Sequence, residues 1–162
     1  KAIEHLTKAY GYAKELGWVA FNGMFNAMAL SLLIEARLKA PEAGGSTRLV
    51  PELAEELSNL TRQLDEDVIR AWNHRTQGLV AIHSNERSKA VESLEESVRL
   101  WRKIGWPYEL AKALYELGAL HQSQGDRKRA SGPLNEALGI FTRFKAHLDV
   151  ERVLARKELL NA

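Results

Sequence analysis

Apolar residues recur along this chain three and four residues apart, the spacing of helices rather than of strands. In 1–16 the stripe is Ile3, Leu6, Ala9, Ala13 and Leu16. Gly17 then offers a left-handed cap, with Trp18 folding back on the last turn. The next segment, 18–39, is apolar on every side, with Met24, Phe25, Met28, Leu32 and Leu33 spread round it, as in a helix buried on two faces. Residues 40–50 predict a loop. Pro51 and Glu52 open the following helix, whose face is Leu53, Leu57, Leu60 and Leu64.

The pattern continues with a helix over 66–84 and, after a cap at Ser84 and Asn85, another from about 86 to 104 on Ala90, Val91, Leu94, Val98 and Trp101. Gly105, Trp106 and Pro107 stop it and start 107–124, with Leu110, Leu114, Leu117 and Leu120 inward. Gly125 and Asp126 make a turn, and helices over 127–146 and 148–160 close the chain. Pro133 weakens the first of these locally. Alternating β-branched runs are missing, so the expected fold is all-α, about eight helices in antiparallel hairpins.

The chain also matches itself. A shift of 40 residues pairs Ala71 with Ala111, Gly78 with Gly118, Arg87 with Arg127, Ala90 with Ala130, Leu94 with Leu134 and Glu96 with Glu136. Ser97/Ala137, Val98/Leu138 and Trp101/Phe141 agree in size or character. A shift of 88 lays residues 1–6 on 89–94 and Gly17-Trp18 on Gly105-Trp106. Register kept over such distances marks a repeat architecture.

Leu114, Leu117, Gly118, Gly125-Asp126, Ala130, Leu134 and Ala137 resemble the tetratricopeptide repeat in type and spacing. His74 stands where that pattern prefers a large core residue. The first full repeat has Leu30 in place of the glycine and an insertion at 40–50. The period exceeds the usual 34, which lengthens the helices by about a turn and a half. Long repeats of this kind, with the 146–152 ending Ala-x-Leu-Asp-x-Glu-Arg, resemble those of multidomain signal-transducing ATPases and transcription regulators.

The resemblance implies a right-handed α-solenoid: a half repeat at 1–17, repeats at 18–65, 66–106 and 107–146, and a terminal helix at 147–162. Lys1 enters within a second-helix pattern, so the expectation is a piece of a longer chain. The resemblance also implies a concave groove lined by the first helix of each repeat. Its positions map onto Met24 and Ala27, then Trp72, Arg75 and Leu79, then Lys112, Tyr115 and Gln122. Trp72, Arg75 and Tyr115 are types that dominate binding hot spots, although Trp72 equally suits packing. Arg75 and Lys112 together suit a carboxylate.

Composition narrows the chemistry. The 162 residues contain no cysteine, which removes disulfides, thiolate metal sites and cysteine nucleophiles, and suits a reducing cytoplasm. No apolar run is long enough for a membrane span. Net charge is +2, with 7 basic and 8 acidic residues in 1–65 against 16 and 13 in 66–162. That second half is mildly basic, short of a nucleic-acid footprint. None of His5, His74, His83, His121 and His147 falls in metal-ligand spacing, and His74 and His121 read as hydrogen-bonded packing residues. Gly44-Gly45-Ser46-Thr47 lacks the phosphate-loop spacing. Glu55-Glu56 and Glu95-Glu96 are neighbours that do not face each other, and Arg127-Lys128-Arg129 reads as a solvated turn.

The expectation is therefore a cytoplasmic interaction or effector-sensing module, not an enzyme, with neither cofactor nor metal. Its partner would be a peptide or a domain of the same chain. The alternatives are a homo-oligomeric scaffold and weak nucleic-acid binding through the second half.

Overall fold

The structure, a computed structural model, describes residues 2–15, 23–39 and 47–161. The expected cap at Gly17 and Trp18, the start of the 18–39 helix and the loop through Ser46 lie outside these residues. The described residues form eight helices packed as sequential antiparallel pairs. They are α1 (Ala2–Glu15), α2 (Gly23–Lys39), α3 (Val50–Leu64), α4 (Asp67–His83), α5 (Arg87–Ile104), α6 (Pro107–Ser123), α7 (Arg127–Arg143) and α8 (His147–Asn161). A short 3-10 turn, Thr47–Leu49, leads into α3, so the helix begins one residue earlier than the loop reading placed it. None of these helices is long and apolar enough to cross a membrane. The chain divides into two compact units, Lys1–Ala90 and Val91–Ala162.

Helix after helix ends on a left-handed residue: Asp65 (φ 45), Asn85 (φ 60), Gly105 (φ 79), Gly125 (φ 78) and Lys145 (φ 55). Their numbers advance by 20. At Asn85 the amide of Glu86 donates to the Ala81 carbonyl (2.8 Å) and that of Asn85 to Ile82 (3.1 Å). At Gly125 the amide of Asp126 donates to His121 (3.0 Å) and that of Gly125 to Gln122 (2.9 Å). These are the same pair of bonds, a Schellman ending, moved by 40 residues. Asp65 and Gly105 instead donate singly, to Thr61 and Trp101. The cap expected from Ser84 and Asn85 is thus a C-terminal turn of α4. Asp126 does cap α7, accepting from the Arg129 amide at 2.9 Å.

Burial follows the same period. Ala71 and Ala111, Ala90 and Ala130, Leu94 and Leu134, Ser97 and Ala137, and Trp101 and Phe141 are all buried. In the second unit α6 and α7 approach closely at Gly118. A Cβ built there would stand 2.7 Å from Leu134 Cγ and 3.2 Å from the Ala130 carbonyl oxygen. Only a glycine fits that contact.

The first unit departs from the pattern reading. Among the α1 residues whose burial is described, Tyr10 is the buried one; its hydroxyl donates to Glu56 Oε1 at 2.5 Å, while Ala9 is exposed. Burial first, then Glu56, raises the Tyr10 hydroxyl above its ordinary range. In α2 the buried face is Asn26, Ala27, Leu30, Ser31, Leu33, Ile34 and Arg37. Met24, Met28 and Leu32 are half-buried and Phe25 is exposed. A helix apolar all round carries no stripe to read, and α2 is flanked by α1, α3 and α4 together. Ile34 meets Val50 and Ala54 of α3, with Leu38, Leu53 and Val80 against them.

Two glycines should respond oppositely to alanine. Gly118→Ala is expected to cost about 2 kcal/mol by overpacking against Leu134. A Cβ at Gly132 meets nothing within 4 Å, so Gly132→Ala is expected to gain up to about 1 kcal/mol of helix propensity. Urea denaturation of the two variants beside the parent measures both.

Candidate functional site

Trp72, Arg75 and Leu79 lie along one face of α4, and that face is buried. Trp72 is 3% exposed and Arg75 1%. They are core residues here and offer no surface to a partner. α4 packs against both α2 and α3, and this double contact consumes the stripe. Ala27 is likewise fully buried, and Met24 is half-buried.

What Arg75 does instead is hold a carboxylate of its own chain. Its Nη1 donates to Glu35 Oε2 at 2.8 Å. The adjacent Thr76 donates its hydroxyl to Ser31 Oγ, one turn before Glu35 on α2, at 2.9 Å. Asn26 and Arg37 are buried in the same helix α2, and Arg37 donates to Thr7 of α1 at 3.2 Å. A polar layer therefore runs between α2 and α4. Burial alone would raise the Glu35 carboxyl. The positive charge and hydrogen bond of Arg75, followed by those of Lys39, outweigh it and hold Glu35 well below the usual carboxylate range.

The other groove positions lie on α6, in the second unit. Lys112 is bonded to Glu109 at 3.3 Å, and Tyr115 is half-buried. Gln122 donates through Nε2 to the Arg156 carbonyl at 2.8 Å, so it fastens α8 to α6. Arg75 and Lys112, expected to share an incoming carboxylate, are each already engaged with an internal one. His121 is buried as expected, but its Nδ1 has no hydrogen-bond partner among the described residues. His74 is half-buried.

A different concavity is present in the second unit. It measures about 550 Å3 and lies where α5, α6 and α7 meet. Val98, Leu114, Leu117, Gly132 and Pro133 make an apolar floor and wall. Glu95, Arg99, Arg102 and Glu136 stand at its mouth. Arg102 is paired with Glu136, and Arg99 reaches Glu96 at 2.6 Å. The groove exists because α7 carries Gly132-Pro133 where a bulkier pair would fill the space. Pro133 sits inside a continuous helix, where only a local weakening was expected. It has no N–H, so the Arg129 carbonyl lacks its usual helical donor. A Gly-Pro pair at an interior helical position was the signal available in the sequence.

Among the described residues no group of three His, Asp or Glu side chains could hold a metal ion. Compared with known proteins, the chain matches no family model and no curated sequence.

The Glu35–Arg75 pair makes a prediction about acid. A carboxyl depressed in the folded state contributes stability that is present above its unfolded value, about 4.3, and is lost as pH falls through the folded one. Glu35→Gln removes a carboxylate paired with a buried guanidinium and is expected to cost about 3 kcal/mol at neutral pH. The gap between parent and variant should narrow steadily as pH drops below about 4. Thermal melts from pH 7 to pH 2.5 test this, and a constant gap would refute it.

Proposed function

We propose that this chain is a helical-repeat module of the tetratricopeptide kind, a right-handed solenoid of antiparallel hairpins that holds a protein or peptide segment. In this reading it serves as the interaction part of a larger regulator. The observation that supports the repeat most directly is the turn after α6, which reproduces the turn after α4 bond for bond at a distance of 40 residues. Stacked hairpins of this kind present grooves along their length, and ligand grooves are their usual working surfaces.

The groove beside Gly132 and Pro133 is the surface best suited to a partner. Its apolar floor accepts a large side chain, and its size falls in the range of ordinary binding pockets. The mouth residues offer donors and acceptors of both signs to a peptide backbone and its flanking side chains. The face of α6 that carries Lys112 and Tyr115 remains as a second surface of the same module.

Purified chain, used as bait against extracts, can separate these surfaces. Gly132→Leu fills the groove while its first carbon meets open space, so the variant should fold as the parent does. Specific capture lost in Gly132→Leu and kept in Lys112→Ala/Tyr115→Ala assigns binding to the groove. The reverse pattern assigns it to the α6 face. Equal capture by all three forms defeats both assignments and leaves a scaffold role, for which a concentration-dependent mass is the signature.

A further inference from the structure

One end of the second unit gathers large exposed apolar side chains. Tyr108 in the first turn of α6 is 38% exposed, Phe144 after α7 48%, and Leu148 in the first turn of α8 71%. The two rings are held in place. Tyr108 stands edge-on to the buried Phe141, with centroids 5.6 Å apart, and to Phe144 at 6.3 Å. The Tyr108 hydroxyl donates to Asp149 Oδ2 at 2.8 Å. That bond first, and burial second, push the hydroxyl up to about 12. Rings fixed in this way lose little freedom when something docks on them.

The charge around the rings is unequal. The Arg143 guanidinium lies 5.8 Å from the Phe144 ring centre, and Lys145 is the next residue after that ring in the chain. The nearby carboxylates are mostly engaged within the unit. Asp149 is held by Tyr108 and by Arg152 at 3.3 Å, and Glu109 by Lys112 at 3.3 Å. Glu151, exposed on α8, is a further acid close by in the chain.

Lys145 adds an independent observation. It occupies a left-handed backbone position, φ 55. The four earlier turns fill that position with Asp65, Asn85, Gly105 and Gly125, residue types that accept it readily. A lysine there is strained, and glycine would relieve it. Strain retained beside an exposed ring points to a use for the side chain.

We propose that Tyr108, Phe144 and Leu148, with Arg143 and Lys145, form a docking surface for an acidic peptide segment bearing an apolar anchor. The anchor lies on the two rings and Leu148, and flanking carboxylates reach Arg143 and Lys145. None of these residues lines the groove beside Gly132, so the proposal stands apart from that reading. A nucleic-acid strand requires a wider basic footprint than two cations.

The test is fluorescence anisotropy of the whole chain with a fluorescein-labelled peptide, Asp-Asp-Trp-Leu-Asp-Asp. One control replaces Trp-Leu by Ser-Ser and another replaces each Asp by Asn. The parent should bind the first peptide and neither control. Arg143→Glu/Lys145→Glu should weaken binding about tenfold or more, and Leu148→Ser should weaken it about threefold. Lys145→Gly separates binding from folding: it should melt about 2 to 4 degrees higher yet bind more weakly. Equal binding by the charge-reversed variant, equal binding of the Asn peptide, or displacement by oligothymidylate would overturn the proposal. So would a doubled mass that Leu148→Ser abolishes, which would mean that a second copy covers the face. Binding lost in Gly132→Leu would move the peptide to the groove, sinking this proposal while sparing the other.

Discussion

Everything regular in this protein depends on where its helices are made to stop. A left-handed residue ends the helix at positions 65, 85, 105, 125 and 145, and between these points the chain has room for 17 or 18 helical residues and a short turn. Equal spacing gives helices of nearly equal length, about 26 Å at 1.5 Å per residue, so neighbours in a hairpin end flush. It also fixes rotation. One residue more or less in a turn would swing the next apolar stripe by about 100°, away from the helix it must meet. The stripe Ala130, Leu134, Ala137, Phe141 faces α6 because Gly125 ends that helix at the right residue.

The first unit solves the same packing problem with polar groups. α2 is apolar on all sides, and apolarity alone would let it slide or turn against α4. The Ser31–Thr76 and Glu35–Arg75 bonds remove that freedom. A slip of one turn would break the bond of the buried Arg75 to Glu35, at a cost of several kcal/mol. Arg75 was attractive as a binding residue for the same chemical reason that makes it useful here. A guanidinium seeks a carboxylate, and Glu35 of α2 supplies one.

The sequence made the helices legible from α4 onward because each carries a clear stripe bounded by a turn residue of obvious type. It made α1 and α2 less legible. In α1 the buried Tyr10 is amphipathic and needed Glu56, 46 residues away, to be read correctly. In α2 apolar residues spread round the helix, with Asn26, Ser31 and Arg37 among the buried ones, hid which face is covered. Trp72 and Arg75 were hard to place for a related reason. Trp72 and Arg75 are types shared by hot spots and by cores, and only the double contact of α4 with α2 and α3 decides between the two. The groove lies beside Gly132-Pro133, of which Pro133 alone was expected to matter, as a local weakening of the helix. The hole it leaves in the surface depends on what stands opposite.

That pair also shows how the fold tolerates a poor helix. α7 contains Gly132, Pro133 and Gly139, which together cost it on the order of 5 kcal/mol in propensity. Gly132 and Gly139 lie where an added Cβ would meet nothing, and Pro133 is half-buried beside the groove. The inward stripe is free of such residues, and Ala130, Leu134, Ala137 and Phe141 are all buried. Tertiary contact with α6 and α8 thus holds α7 in a shape its outer face does not favour. A helix secured from one side can keep its other side small, and the groove between α5 and α7 is the space so kept.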